Sequence, residues 1–184
     1  MGLILAAPIL LIACLAIKLD NPGPVFFSQE RIGLNGKSFK MYKLRTMIVG
    51  AESQVAKVLA TNPLHGPVFK IPDDPRVTRV GRFLRRWSLD ELPQLWNVFR
   101  GEMSLVGPRP EESWVVAQYN DQQRSRLAIK PGLTGPMQVS GRGDLDMDAR
   151  LQLELDYIWN NSIYEDLKIL IKSLPAIISG KGAY

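Results

Sequence analysis

Apolar and polar residues fall into distinct blocks along this chain, and each block predicts a different element. Residues 2–17 are uninterrupted apolar sequence, which ends at Lys18 and Asp20. As a helix this run would reach about 24 Å, short of the roughly 30 Å hydrocarbon core of a bilayer. Three interpretations remain open: a re-entrant membrane helix broken at Pro8, a spanning helix, and a signal peptide or buried core helix. We expect the re-entrant helix.

The following segment predicts a β-hairpin, because extended sequence flanks Asn35 and Gly36, a pair that favours a tight turn. The remainder is mainly helical in pattern, with glycine- and proline-rich loops at residues 62–67, 107–110 and 130–144. A helix that ends at a glycine is expected before Gly101. The predicted helices cover residues 50–60, 77–86, 92–99, 111–127, 148–159 and 164–178.

The pattern indicates a mainly helical α+β protein, a single compact domain on an N-terminal membrane element. The last predicted helix places apolar residues on one side and Lys168 and Lys172 on the other. Such a helix either packs on a core or lies on lipid headgroups as an interfacial amphipathic helix, and periodicity does not separate the two. Its apolar positions are Leu167, Leu170, Ile171, Leu174 and Ile178.

Composition narrows the chemistry. The chain has 184 residues, 46% of them hydrophobic, and its 23 Lys and Arg against 18 Asp and Glu give a net charge of +5. This excess suits contact with phosphate or an anionic membrane surface. A single cysteine excludes an internal disulfide and a cysteine metal cage, and a single histidine, His65, excludes a polyhistidine metal site. No Gly-x-Ser-x-Gly motif is present, so a hydrolase-type serine triad is not favoured.

The stretch "SLDELPQLWNVFRGEMSLVGPRPE" holds two adjacent carboxylates, Asp90 and Glu91. Ser88 and Glu91 have the spacing of a capping box, in which Ser88 would cap a helix and Glu91 would reach back to its amide. Asp90 would then lie in the first helical turn, where the helix dipole favours negative charge. From this fragment alone, a helix start and a catalytic pair both remain open.

The surrounding cations favour chemistry at this pair. Acids held among arginines are expected to stay ionised, and an ionised Asp90 is a plausible nucleophile toward phosphorus or a ligand for Mg²⁺. Arginine forks bind phosphate oxygens in bidentate fashion, so the basic stretch suits a diphosphate. The cations near the pair are Lys70, Arg76, Arg79, Arg82, Arg85, Arg86, Arg100 and Arg109.

Several ordered blocks resemble the bacterial sugar transferases, the monotopic phosphoglycosyl transferases that begin glycan and exopolysaccharide assembly. These blocks are "GPVFFSQERIGLNGKSFKMYKLRTM", "DPRVTRVGRFLRRWSLDELPQLWNVFRGEMSLVGPRPE", "IKPGLTGPMQVSGR" and "DYIWNNSIYEDLKILIKSLPAII". The resemblance implies transfer of a sugar 1-phosphate from a UDP-sugar to polyprenyl (undecaprenyl) phosphate, with release of UMP. It also implies a catalytic domain on the cytoplasmic face of the bacterial inner membrane, at residues 20–184, and a membrane-inserted helix at residues 1–19.

By the same resemblance Asp90 is the nucleophile, which forms a covalent phosphosugar intermediate, and Glu91 supports Asp90 or the metal. Mg²⁺ is the expected cofactor, held by Asp90 and Glu91. Family-like basic positions are expected to bind the phosphates or the nucleotide. These substrate-binding candidates are Lys43, Arg45, Arg85, Arg109 and Arg142.

Two other classes of protein remain as alternatives. One is a non-catalytic membrane module that binds anionic lipid, in which Asp90 does no more than cap a helix. The other is a nucleic-acid-binding protein, which the apolar N-terminus and the missing reader motifs disfavour. The resemblance implies a UDP-sugar, polyprenyl phosphate and membrane lipid as partners. No nucleic acid is expected, and a homo-oligomer and the identity of the sugar are left open.

Overall fold

The computed structural model describes residues 2–54, 74–142, 145, 147–180 and 182. The helices are α1 (Gly2–Asp20), α2 (Arg79–Arg86), α3 (Gln94–Phe99), α4 (Ser113–Val116), α5 (Asp121–Arg124), α6 (Pro136–Ser140), α7 (Met147–Trp159) and α8 (Ile163–Ser179). The strands are β1 (Phe26–Ile32), β2 (Ser38–Leu44), β3 (Ser104–Val106) and β4 (Gly132–Thr134). This confirms a mainly helical α+β fold.

Helix α1 has one packed side and one exposed apolar side. Ala13 and Ile17 are buried against Leu44 and Leu84, while the opposite side leaves several large apolar side chains in the open. The helix runs through Pro8 rather than ending there, so the predicted break at this proline is not seen. Among the described residues, no helix combines the length and apolarity needed to cross a membrane. The exposed side chains are Ile4, Leu5, Ile9, Leu11, Ile12, Leu15 and Leu19.

The predicted hairpin is confirmed. Strands β1 and β2 are antiparallel, in a register that pairs Phe26 with Leu44 and Ile32 with Ser38. Asn35 and Gly36 adopt positive φ angles of 55° and 75° in the turn, which are conformations that asparagine and glycine tolerate best. The hairpin carries Lys43 toward the end of β2, next to the segment that holds the two acids.

Helix α2 lies directly on the chain that follows β2. Thr78 caps the helix by accepting a hydrogen bond from the Gly81 amide, and its own amide donates to the Thr46 carbonyl at 3.0 Å. A Cβ on Gly81 would lie 2.0 Å from the Thr46 carbonyl oxygen, so only glycine permits this approach. This close packing fixes the position of α2, and with it the position of Arg85 near the C-terminal end of the helix.

Replacement of Gly81 by alanine is expected to destabilise the protein by about 1–3 kcal/mol, because the added methyl group meets a backbone atom that cannot move aside alone. Urea unfolding followed by circular dichroism measures the change. Arg79→Ala, at an exposed position of the same helix, is the matched control and should leave the midpoint nearly unchanged. Equal midpoints for Gly81→Ala and wild type would contradict the close contact.

A second small sheet joins two distant glycine-rich loops. Strands β3 and β4 run parallel, pairing Ser104 with Gly132 and Val106 with Thr134. A Cβ on Gly132 would lie 2.1 Å from the Gly107 amide nitrogen, so the two loops touch backbone to backbone. Val106 belongs to a core that includes Tyr157 and Ile169, so α7 and α8 pack against this sheet. The "GPRP" and "KPGLTG" loops therefore lie side by side.

The other predicted elements are confirmed in part. The predicted helix at residues 111–127 is instead two short helices and a 3-10 turn, because Asn120 forms a capping box with Gln123 and starts α5 anew. Where a helix was predicted for residues 50–60, the described part is a 3-10 turn at Ala51–Gln54. Residues 55–60, the 62–67 loop, His65 and Lys70 lie outside the described residues. Gly101 ends α3 with a φ of 76°, as predicted.

Candidate functional site

Asp90 and Glu91 lie in a 3-10 turn, Leu89–Glu91, between α2 and α3. The predicted capping box is wrong. Ser88 has a left-handed backbone (φ 54°), its side chain makes no capping hydrogen bond, and its amide donates to the Arg85 carbonyl at 3.0 Å. Ser88 thus belongs to the end of α2, and α3 begins only at Gln94. The turn presents both carboxylates without using either to cap a helix.

Glu91 is held by two cations from distant parts of the chain. Lys43 Nζ lies 3.1 Å and Arg109 Nη2 2.8 Å from the same oxygen, Glu91 Oε1. Burial alone would raise the pKa of Glu91, but the charges and hydrogen bonds of Arg109 and Lys43 outweigh it and hold this pKa far below its usual value. Glu91 in turn raises the pKa of Arg109. Glu91 is therefore ionised and fixed in place.

Asp90 has a different environment. It is only 8% exposed, and no described residue donates a hydrogen bond to its carboxylate. Burial raises the pKa of Asp90 and the charge of Glu91 raises it further, while Lys43, Arg85 and Arg109 oppose the shift without cancelling it. The expectation that nearby arginines hold the acids ionised thus describes Glu91, whereas for Asp90 the loss of solvent is the stronger effect.

A poorly solvated carboxylate without hydrogen-bond donors is more basic than one in water. Higher basicity strengthens a carboxylate as a nucleophile, and the cations around it supply the positive field that an incoming phosphate group needs. The two adjacent acids therefore have separate chemical characters. Glu91 is a fixed negative charge, and Asp90 is the more basic carboxylate of the two.

The other predicted basic residues divide into two groups. Arg85 and Arg142 both interact electrostatically with Asp90 and Glu91, and burial lowers the pKa of each guanidinium. Arg85 Nε also donates to Thr46 Oγ1 at 3.0 Å, which ties the Arg85 side chain to the segment that follows β2. The structure thus brings four cations to the acidic pair: Lys43, Arg85, Arg109 and Arg142.

Arg45 lies elsewhere. Its guanidinium donates to the side-chain oxygen of Asn21 at 2.7 Å and to the Asn21 carbonyl. These contacts join the end of α1 to the end of β2, and no hydrogen bond or ion pair between Arg45 and the acidic pair is found among the described residues. The role of Arg45 in substrate binding stays a prediction, and the visible role is structural.

The two carboxylates fit a magnesium ion of the kind that handles phosphates. Mg²⁺ keeps several waters and binds through one or two carboxylates together with substrate phosphate oxygens. Within the described residues there is no group of three or more His, Cys, Asp or Glu that could hold a metal by itself. Asp90 receives no hydrogen bond from those residues, and both cationic contacts of Glu91 are made to Oε1. Each acid therefore has carboxylate oxygens that such an ion could bind.

A layer of buried polar residues near the pair was not predicted from the sequence. Asn97 is 0% exposed, accepts from the Tyr42 amide, and donates to the Lys40 carbonyl and to Glu102. This side chain ties α3 to β2 and so sets the distance between Lys43 and the acidic pair. The other members form a buried charge network: Glu111, Arg126, Arg150 and Glu154.

One signal in the sequence could have found this layer. Glu154 stands in "LQLELDYIW" between Leu151 and Leu155, both buried, at helical spacing from the buried Tyr157. A charge inside an apolar helical face needs a buried partner of opposite sign. Arg126, only 6% exposed, is that partner, with Nε 2.6 Å from Glu154 Oε2.

Comparison with known proteins gives a consistent result. The family model described as bacterial sugar transferase matches residues 1–180. The undecaprenyl-phosphate galactose phosphotransferase of Salmonella typhimurium is 41% identical over 188 residues, covering 100% of this chain and 39% of that protein. The UDP-glucose:undecaprenyl-phosphate glucose-1-phosphate transferase of Caulobacter vibrioides is 43% identical, covering 98% of this chain and 66% of that protein.

The exopolysaccharide production protein ExoY of Rhizobium meliloti is 40% identical, and the match covers 100% of this chain and 83% of that protein. The chain spans about two fifths of the length of several curated relatives, such as the Salmonella protein at 39%. The similarity therefore concerns the shared segment, which includes both acids and all four surrounding cations.

Proposed function

The chain belongs to the bacterial sugar transferase family, and from this premise we propose that it transfers a sugar 1-phosphate from a UDP-sugar to polyprenyl phosphate. The observation that carries the proposal is the Asp90 carboxylate, buried without a hydrogen-bond donor from the described residues and faced by Lys43, Arg85 and Arg109. The names of the Salmonella and Caulobacter relatives specify undecaprenyl phosphate, which supports the same acceptor class here.

The proposed chemistry takes place in two displacements. A carboxylate oxygen of Asp90 attacks the phosphorus that bears the sugar, the bond from this phosphorus to the bridging oxygen breaks, and UMP leaves with that oxygen. The phosphate oxygen of the polyprenyl acceptor then attacks the same phosphorus, and the bond to Asp90 breaks. The product is a polyprenyl-diphosphate sugar, and Asp90 is restored. Two half-reactions on one carboxylate imply ping-pong kinetics.

Each nearby residue has a role in this scheme. Glu91 keeps Lys43 and Arg109 in place, and these cations with Arg85 and Arg142 neutralise the diphosphate oxygens. Asp90 and Glu91 would hold Mg²⁺, which when bound would supply further positive charge to the phosphates.

The surface of the molecule supports a lipid acceptor. A groove of about 470 Å³ lies between α1 and α2, with a mainly apolar lining that includes Ile12, Phe83 and Leu89. Leu89 immediately precedes the proposed nucleophile, so a polyisoprenoid chain in this groove would have its phosphate near Asp90. The exposed apolar sides of α1 and α8 supply the membrane contact in this proposal, with α1 as the inserted element.

The proposal is tested with purified protein, Mg²⁺, polyprenyl phosphate and a panel of UDP-sugars. We expect sustained UMP release with at least one UDP-sugar, parallel double-reciprocal plots, and one equivalent of phosphosugar on Asp90 when the acceptor is omitted. Mass spectrometry of the Asp90 peptide detects the intermediate. Binding to anionic vesicles without UMP release from any UDP-sugar would instead indicate a lipid-binding module. Tight, salt-dependent binding of RNA or DNA without turnover would indicate a nucleic-acid-binding protein.

A further inference from the structure

The loop that carries Arg109 has an unusual set of main-chain groups. Arg109 stands between Pro108 and Pro110, and proline has no amide hydrogen, so Arg109 supplies the one main-chain donor of these three residues. Each proline also restricts the residue before it to extended conformations. The course of the loop is therefore stiff. Main-chain bonds to Thr134 and Gly132 hold it at Gly107 and Pro108, and the groups that bind the Arg109 peptide hold it at its centre.

Both main-chain polar groups of Arg109 bind to one buried ion pair. The Arg109 amide donates to Glu154 Oε1 at 3.1 Å, and the Arg109 carbonyl accepts from Arg126 Nη2 at 3.2 Å. Glu154 and Arg126 are themselves paired, and they are 0% and 6% exposed. The ion pair thus binds both the amide and the carbonyl group of Arg109.

The side chain of that residue reaches the acidic pair. Arg109 Nη2 donates to Glu91 Oε1 at 2.8 Å, and Glu91 adjoins Asp90. Glu154 and Arg126 make no direct contact of their own with either acid among the described residues. The contacts that link them to the acidic pair pass through Arg109.

Stability alone is a weak reason for a buried ion pair, because an apolar pair of similar volume is often equally stable or more so. An apolar pair could not, however, accept from the amide and donate to the carbonyl of the same arginine. The pair is also braced from its far side, where Arg126 contacts Tyr119 and lies 3.8 Å from Glu111, which in turn accepts from Arg150 at 2.7 Å. These additional contacts restrain the position of the Arg126 side chain.

We infer that Glu154 and Arg126 are positioning residues that fix the Arg109 main chain and thereby aim its guanidinium at Glu91 and at the bound diphosphate. This inference rests on the proposed function for its effect on turnover. It concerns residues that touch no substrate and that lie 45 and 17 positions along the chain from Arg109.

A double-mutant cycle on turnover tests the inference. Glu154→Gln should lower kcat by about 10- to 100-fold in the wild-type background. In the Arg109→Ala background it should lower kcat by less than about twofold, because no guanidinium remains to be aimed. An equal loss in both backgrounds, or no loss in either, overturns the inference. The same cycle with Arg126→Lys, which keeps the charge but moves the donor, decides the matter if Glu154→Gln does not fold.

Tyr157→Phe is the matched control. Tyr157 is buried on the same helix and donates to Asp166 at 2.6 Å, so its loss weakens α7 without touching Arg109. Its effect on kcat should be small and the same in the wild-type and Arg109→Ala backgrounds. A purely structural role for Glu154 would give this additive pattern as well.

A second readout does not depend on turnover. The coupling free energy between Arg109 and Glu91 is measured by urea unfolding. It is the difference between the destabilisation of the Arg109→Ala, Glu91→Gln double variant and the sum of the two single destabilisations. We expect this coupling to fall by at least half in the Glu154→Gln background, and an unchanged coupling overturns the inference. An inactive wild-type protein would defeat the proposed function, and the unfolding measurement would still decide the role of Glu154.

Discussion

Asp90→Asn is expected to lower UMP release by at least about 10³-fold, while leaving the protein folded and more resistant to urea at neutral pH. The loss of turnover follows because an amide oxygen cannot form the proposed covalent link to phosphorus, and removal of a nucleophile commonly costs several orders of magnitude in rate. The shape of the side chain is kept, so the substrate should still bind. Steady-state UMP release and mass spectrometry of the residue-90 peptide provide the measurement.

The gain in stability follows from the sign of the pKa shift. Burial and Glu91 raise the pKa of Asp90 in the folded protein above its value of about 3.9 in an unfolded chain. Between these two values the folded state binds more protons, so stability is lost as the pH rises through the folded pKa. At neutral pH the ionised carboxylate therefore destabilises the fold, and asparagine removes that penalty.

The advantage of Asp90→Asn should accordingly disappear below about pH 4, where both states of the wild-type protein are protonated at this position. Asp121→Asn, at an exposed acid in the first turn of α5, is the control and should change neither turnover nor the urea midpoint. Retained UMP release in Asp90→Asn would show that the nucleophile lies elsewhere. A lower urea midpoint at neutral pH would show that the carboxylate stabilises the fold.

Arg109→Ala is expected to lower kcat/KM by about 10²- to 10³-fold and the free energy of unfolding by about 2–3 kcal/mol. The rate falls because a cation directed at the diphosphate is lost, an effect comparable with removal of one oxyanion donor. The stability falls because Glu91 loses its closest partner in a site where both side chains are mostly buried, with Lys43 remaining to limit the damage.

This stability effect depends on pH in the direction opposite to that of Asp90→Asn. Arg109 and Lys43 hold the folded pKa of Glu91 below its unfolded value of about 4.3, so their stabilisation is fully present above that value. It is lost as the pH falls from there toward the folded pKa, and the difference between wild type and Arg109→Ala should shrink over the same range. Urea unfolding from pH 7 down to pH 3 measures it.

Arg100→Ala provides the comparison for Arg109→Ala. Arg100 also pairs with a glutamate, Glu102 at 3.1 Å, but its side chain is 52% exposed, and surface pairs contribute about 0–1 kcal/mol. Turnover and stability should change little. Similar losses in Arg100→Ala and Arg109→Ala would indicate a general effect of net charge rather than a specific contact with Glu91.

The acidic pair was singled out from the residues around it, whereas the substrate-binding cations were named from the family resemblance. Asn35-Gly36 predicted the hairpin, and the "GPRP" and "SGR" loops marked Arg109 and Arg142, which the structure places near Asp90. For the hairpin, the local backbone preference of Asn35-Gly36 was enough, while for the two arginines the resemblance was needed as well.

The capping-box prediction failed because distant partners competed with a local one. Ser88 and Glu91 have the spacing of a capping box, but Glu91 bonds Lys43 and Arg109, which lie 48 and 18 positions away. Arg45 was expected at the substrate site from the resemblance alone, and this role stays a prediction, because the contact seen in the structure is with Asn21. A pattern of neighbours cannot state which distant partner a charged side chain will meet, nor how much solvent Asp90 loses.

The hydrogen bond from the Arg109 amide to Glu154 has a consequence for biosynthesis. The nucleophile, the hairpin lysine and Arg109 are all translated before α7, yet the Arg109 amide has its partner only once residue 154 has left the ribosome. During that interval the growing chain carries closely spaced acids and arginines, and the Arg109 amide still lacks its partner. A long-range contact of this kind forms late, because the intervening chain must first be ordered. A nascent chain halted before α7 would therefore hold every proposed catalytic group and still lack the assembled site.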